Sequence, residues 1–374
     1  MTRTRAAIQQ GIQRGWHSGA QIFVQVGQAV AIDEGIGLMR AGHPFTAETI
    51  CPWFSSGKPV TAVAIAQLWE HNLLQLDDKI VRHIPEFGQH GKDGITVRHA
   101  LTHTGGFRSP NIDYDQPWDE MVRAVCATVP EPDWRPGKKA GYHAASSWVI
   151  LGELIRRLSG HVFDAYIRQN IFAPLGISEV WYGVDEAAFL RRGPDAFAKV
   201  YLNTARTAPD LAQPAPQLEN LSRATPGGGL RCTARTMGKF YRMLLAGGAA
   251  AADGQAAPRV LRPQTVEALV ARHRVGLRDE TFGRPMDWGL GFMVNSAHYP
   301  EATSHGQRHE PYGYSAFASA RTFGHGGMQS SIAFADPENA LIVAWMCNGL
   351  AGEPRHQERN AAINAAIYED LGMT

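Results

Sequence analysis

The sequence is poor in the features that mark several protein classes. It has four cysteines in 374 residues, Cys51, Cys126, Cys232 and Cys347, far apart and without a CxxC pair. Such scattered thiols suit a reducing cytoplasm better than a disulfide framework or a zinc site. No apolar run approaches the length of a membrane span. The first ten residues carry Arg3 and Arg5 but no unbroken apolar stretch follows, so no secretory signal is read and a cytoplasmic location is expected. Charge of one sign is also lacking: 36 Lys and Arg stand against 35 Asp and Glu, a net +1. A nucleic-acid partner, which needs a basic face to neutralise phosphates, is not expected. The most basic spot, Ala271-Arg272-His273-Arg274, reads as a solvated helix end. His99/His103 and His305/His309 share i,i+4 spacing, but neither pair has a third ligand or an HExxH pattern, so both are read as non-metal. Absence of any Gly-x-Ser-x-Gly argues against the nucleophile elbow of an α/β hydrolase.

What is present is apolar material: 44% of residues are hydrophobic, enough for one large domain or two medium ones. Residues 4–17 have helical apolar spacing, and strand-like runs follow at 20–26 and 29–39 around a Gly27-Gln28 turn. The pattern then turns helical, at 60–74, at 148–158 closed by Gly160, and at 237–245 closed by Gly247-Gly248. Residues 204–229 and the start of 247–263 read as loop. Strand character returns at 329–335 and 340–347 about the turn Asp336-Pro337-Glu338-Asn339, and a helix over about 357–371 ends the chain. The expected fold class is mixed α/β (α+β): an antiparallel sheet flanked by N- and C-terminal helices, with a large helical domain inserted. Residues 1–54 plus about 265–374 would form the sheet domain and about 55–264 the helical one, with the active site at their interface.

The chemistry is carried by Ser55-Ser56-Gly57-Lys58 at the start of an apolar-periodic segment. On a helix beginning there, Ser55 and Lys58 share a face, so the amine reaches the hydroxyl. Pro59 falls in the first turn, where a missing N–H costs little. A lysine acts as a base only if its pKa falls from about 10.4, and Trp53, Phe54 and Val60 supply apolar flanks for that. Ser56, two residues from Lys58, points elsewhere and reads as a helix-start residue. Alone, S-x-x-K is a weak motif.

Further blocks follow in order. They are Ile95-Thr96-Val97-Arg98-His99-Ala100-Leu101-Thr102-His103-Thr104-Gly105-Gly106, then Arg135-Pro136-Gly137 before Gly141-Tyr142-His143-Ala144, then Pro226-Gly227-Gly228-Gly229-Leu230 with Thr233-Ala234-Arg235, and finally Phe323-Gly324-His325-Gly326-Gly327. Over nearly the whole chain this resembles the serine β-lactamase-like, penicillin-recognising family: class C β-lactamases, D-amino-acid peptidases, family VIII carboxylesterases and related acyltransferases. The resemblance implies a β-lactamase/transpeptidase-like fold and a serine acyl-transfer enzyme. Ser55 would attack the acyl carbonyl and Lys58 would take its proton. Tyr142 would share the base role or protonate the leaving group. His325, Gly326 and Gly327 would form the third, substrate-binding motif, and the backbone N–H groups of Ser55 and Met328 the oxyanion hole. No cofactor or metal is needed for this chemistry.

Two positions depart from the family pattern. Ala144 stands where an asparagine usually completes the second motif, so the amide side chain of a β-lactam would lose a partner. His325 replaces the third-motif lysine that attracts a carboxylate, and is mostly neutral near pH 7. Both fit a small-molecule ester or amide substrate that needs no carboxylate. A carboxylesterase-type hydrolase is therefore the leading reading. An acyltransferase passing the group to an amine or alcohol, a D-amino-acid peptidase or weak β-lactamase, and a non-catalytic binding protein are the alternatives. The stretch 297–322, with Tyr299, Tyr312, Tyr314 and Phe317, is read as either a pocket wall or a surface insertion.

Overall fold

The computed structural model describes residues 1–110, 112–202, 211–250, 258–299 and 313–374. His305, His309 and Tyr312, and parts of the stretches 204–229 and 247–263 read as loop, lie outside the described residues.

The centre is an eight-stranded antiparallel sheet. Its strands are β1 (Gly19–Val26), β2 (Ala29–Arg40), β3 (His43–Pro44), β4 (Asp287–Trp288), β5 (Met293–Val294), β6 (Phe323–Gly327), β7 (Ser331–Asp336) and β8 (Leu341–Cys347), in the order β3-β2-β1-β8-β7-β6-β5-β4. The N-terminal hairpin thus meets the C-terminal one at the β1–β8 seam, where Ile22 faces Trp345 and Val24 faces Val343. Two-residue periodicity divides the side chains between two cores. Ile22, Val24, Val343 and Trp345 pack with Ile8, Ile363 and Ile367 on one side. Phe23, Ile342, Ala344 and Met346 join the larger core on the other. Strand β8 is buried on both faces, which is why Leu341–Cys347 reads as an unbroken apolar run.

The terminal helices α1 (Thr2–Gln13) and α5 (Glu353–Asp370) pack against each other over the first core. Helix α5 begins four residues before the expected start because Pro354 occupies its first turn, where a missing N–H is tolerated. On the opposite face lie α2 (Lys58–Glu70), α3 (Ser146–Ser159) and α4 (Ala234–Leu245). Helix α4 crosses β1, β7 and β8 directly. Helix α2 is buried from Lys58 to Leu68 and so is apolar all round rather than amphipathic. Helix α3 ends as expected at Gly160, whose φ of 72° is the left-handed cap conformation.

One charged segment corrects the sequence reading. Arg274 is not on a solvated helix end: the preceding helix stops at Val270, and Arg274 is buried, bound to Asp279 at 3.0 Å and lying against Trp288. Its buried partner Asp279 stabilises it there, a pairing that local charge density does not reveal.

Candidate active site

Ser55 and Lys58 meet where the sheet touches the helical layer. A 3-10 turn, Phe54–Gly57, leads directly into α2, so Ser55 is in the tight turn and Lys58 is the first α-helical residue. Lys58 Nζ lies 2.8 Å from Ser55 Oγ and donates to the Gly227 carbonyl at 2.6 Å. The amine is also 5.3 Å from the ring centroids of both Tyr142 and Trp148. No carboxylate pairs with it among the described residues, and burial holds its pKa well below the usual lysine value. A desolvated amine of this kind gives up its proton more readily than an exposed lysine and, once neutral, can accept the proton of Ser55.

Strained backbone surrounds this pair. Phe54, immediately before Ser55, has φ 47°, while His103, Met328 and Gln329 have φ 57°, 35° and 52°. Non-glycine residues resist this region, and sites that must aim a group precisely often contain it. Ser56 faces away from Lys58: its hydroxyl donates to the His325 carbonyl at 3.0 Å and meets Ser331 Oγ at 3.1 Å. It ties the turn to β6 and β7 and is more than a helix-start residue. Gly327 must be glycine, because a Cβ there would collide with the Trp53 carbonyl and Ser331 Oγ. That close approach sets the Met328 backbone beside the Ser55 turn.

Tyr142 belongs to a ring cluster that walls the lysine. Its centroid is 4.8 Å from His103, 5.2 Å from Phe282, 5.9 Å from Trp288 and 6.0 Å from His325. The buried Arg274–Asp279 pair positions it, since Asp279 Oδ1 accepts the Tyr142 backbone N–H at 3.1 Å. His143 lies on the other side of the chain, donating from Nδ1 to the Gly141 carbonyl and accepting the Gly106 and Phe107 amides at Nε2. That pattern fixes its neutral tautomer, and burial lowers its pKa to about 3.

His325 is buried on β6, 5.4 Å from the Trp288 ring. Its Nδ1 donates to the Gly326 carbonyl at 2.6 Å, which leaves the Nε2 lone pair without a partner among the described residues. Burial first, and then the nearby Lys58, lower its pKa to about 3. It is therefore an uncharged acceptor at neutral pH. Sequence reasoning missed His103, Trp148, Trp288 and the Gly227 carbonyl. Only the His103 and Gly227 blocks carried a signal, since both lie inside the quoted motifs. Among the described residues no group of three or more His, Cys, Asp or Glu could hold a metal ion. His99 caps a helix turn with Thr96, and all four cysteines are free and buried. No helix among the described residues is long and apolar enough to cross a membrane.

Esterases, acyltransferases and penicillin-binding proteins are among the known proteins that this chain resembles. Esterase EstB from Burkholderia gladioli is 25% identical over 371 residues, covering 90% of this chain and 86% of that one. Acyltransferase calJ from Penicillium decumbens is 26% identical over 260 residues, 62% of this chain and 59% of that one. A solved penicillin-binding protein homolog from Caulobacter crescentus superposes with a TM-score of 0.76 at 26% identity, over 98% of this chain and 97% of that one. The fold is that of the β-lactamases and transpeptidases, and these relatives point to a serine acyl-transfer enzyme. The beta-lactamase family profile matches residues 4–367, and the chain belongs to that family.

Proposed function

We propose that the protein is a carboxylesterase-type hydrolase that works through an acyl-enzyme on Ser55. The observation that carries this reading is the desolvated Lys58 amine 2.8 Å from Ser55 Oγ, with no carboxylate paired to it among the described residues. Lys58 takes the proton as Ser55 Oγ bonds to the ester carbonyl carbon, and the carbonyl oxygen becomes an oxyanion facing the Ser55 and Met328 amides. Collapse breaks the bond to the leaving alcohol, which takes a proton from Lys58, directly or through Tyr142. Water then attacks the acyl-enzyme with the same groups acting in reverse, freeing the acid and Ser55.

The substrate is an uncharged small ester. A neutral His325 offers no attraction to a carboxylate, and Ala144 offers no side-chain hydrogen bond to an acyl amide. Poor β-lactam hydrolysis follows. A second reading, transfer of the acyl group to an amine or alcohol, draws on the similarity to acyltransferase calJ. Product analysis with a short-chain p-nitrophenyl ester, with and without an added amine, separates the two. Release of free acid at a rate unaffected by amine is expected. Turnover that requires the amine would make the protein a transacylase instead.

A further inference from the structure

Behind the turn that joins β6 to β7, α5 carries a buried cation. Arg359 is 1% exposed, and no carboxylate pairs with it among the described residues. Its Nη1 donates to the Trp16 and Gly349 carbonyls and to His17 Nδ1, and its Nη2 to the carbonyls of Gly349 and Gln329. His17 is fixed as an acceptor because its Nε2 proton goes to the Ile8 carbonyl. A buried guanidinium held by backbone carbonyls and a neutral imidazole, with no carboxylate among the described residues, is a costly arrangement.

Its contact with Gln329 connects it to the site. Residues Gly327 to Ser330 turn β6 into β7, closed by the Ser330 N–H donating to the Gly327 carbonyl at 2.9 Å. Met328 and Gln329 both have positive φ, a pair of conformations that asparagine and glycine adopt readily and these residues do not. The turn is held from behind at a second point as well. Gln329 Nε2 donates to Glu353 Oε1 at 2.9 Å, and Gln329 Oε1 accepts the Gly352 N–H at 3.1 Å. Both partners are at the start of α5.

We propose that Arg359 is a positioning residue for acyl transfer: by binding the Gln329 carbonyl it holds the 327–330 turn in the left-handed geometry that aims the Met328 N–H at the oxyanion. The inference rests on the reading that the Ser55 and Met328 amides form the oxyanion hole. Arg359 touches no substrate and acts only through the turn.

The test is a variant series assayed with a p-nitrophenyl ester and labelled at the nucleophile with a fluorophosphonate. Arg359→Met leaves the Trp16, Gly349 and Gln329 carbonyls and His17 Nδ1 without this donor, so the melting temperature is expected to fall, and rates are read on the protein that remains folded. Loss of a whole oxyanion donor lowers kcat by about 10²–10³-fold. A displaced turn loses part of that, so kcat is expected to fall about 30-fold with KM within about threefold. In the double variant Arg359→Met/Met328→Gly, which keeps the Gln329 side-chain anchors and the N–H at position 328, glycine takes the positive φ freely, and about tenfold of kcat returns. Arg359→Lys, which keeps the charge and can reach a single carbonyl, is expected to lose about threefold to tenfold. Two results would overturn the proposal: a kcat for Arg359→Met within about threefold of wild type, or a loss that glycine at position 328 does not relieve. If Arg359→Met does not fold, the Lys variant decides alone, and full activity there overturns it. Wild-type protein that reacts with neither reagent would sink the acyl-enzyme reading and this inference with it. Normal wild-type labelling with unchanged labelling of Arg359→Met would remove this inference alone.

Discussion

Two lysines of this protein are fully buried, and they are used in opposite ways. Lys92 Nζ donates to three carbonyls, those of Gln89, Cys126 and Thr128, at 2.8, 2.9 and 2.6 Å. Each ammonium proton has an acceptor, so the group is a strut that closes two loops. Among the described residues, Lys58 has one carbonyl, one serine hydroxyl and two aromatic faces. Burial lowers the pKa of both, but only Lys58 is short of acceptors for a full set of protons. The lesson is that burial alone does not make a lysine a base: the count of acceptors around the nitrogen does.

Replacing each lysine by methionine should separate the two roles most sharply. Lys58→Met is expected to lower kcat/KM by about 10³-fold while the protein stays folded. Lys92→Met is expected to leave kcat/KM of the surviving folded protein near wild type. It should lower unfolding stability by about 3 kcal/mol, as three carbonyls lose their donor. Ester kinetics and denaturant titration on both variants check this, and a rate loss at Lys92 equal to that at Lys58 would erase the distinction. Next in size is Tyr142→Phe, where turnover is expected to fall about 10- to 100-fold with little change in KM. Normal turnover would remove Tyr142 from the mechanism.

pH dependence sharpens the comparison further. Lys58 works only when deprotonated, so kcat/KM should rise with pH through a limb well below the usual lysine value of about 10.4. His325 titrates at about 3 and should contribute no limb near 6.5. Stability has its own window. His17, His143, His325 and His356 all have folded pKa values lowered to about 3 by burial. The unfolded chain therefore binds protons first as pH falls, and stability is full above about 6.5 and lost progressively towards 3. Each of these histidines adds up to about 1.4 kcal/mol of sensitivity per pH unit within that range. Thermal melts at pH 7.5 and 4.5 read it directly, and equal midpoints would contradict the buried neutral imidazoles. The smallest expected effect on rate is that of Ser56→Ala, within about threefold, with about 1 kcal/mol of stability lost with its bond to the His325 carbonyl.

Much of the sheet was legible because local chemistry and global burial agree there. Period-two apolar residues in β1 and the Asp336-Pro337-Glu338-Asn339 turn mark strands that pair as expected. The Ser55–Lys58 juxtaposition was legible from spacing, since a 3-10 turn into a helix keeps the two within reach. The rest of the site was not, because it depends on contacts between distant segments. His103 joins Lys58 from the turn after a short helix and Trp148 from α3, and Trp288 comes from the far edge of the sheet. Arg274 and Arg359 look like ordinary surface charges in sequence. Asp279 pairs with the first in the interior, and backbone carbonyls from three other segments hold the second.

The central claim is that Ser55, and not its neighbour, carries the acyl group. Brief exposure to a short-chain p-nitrophenyl ester, acid quenching and fragmentation mass spectrometry of the peptide around Ser55 test it most directly. The acyl mass is expected on Ser55, absent in Ser55→Ala and retained in Ser56→Ala. An acyl group located on Ser56, or labelling that survives Ser55→Ala, would contradict the account.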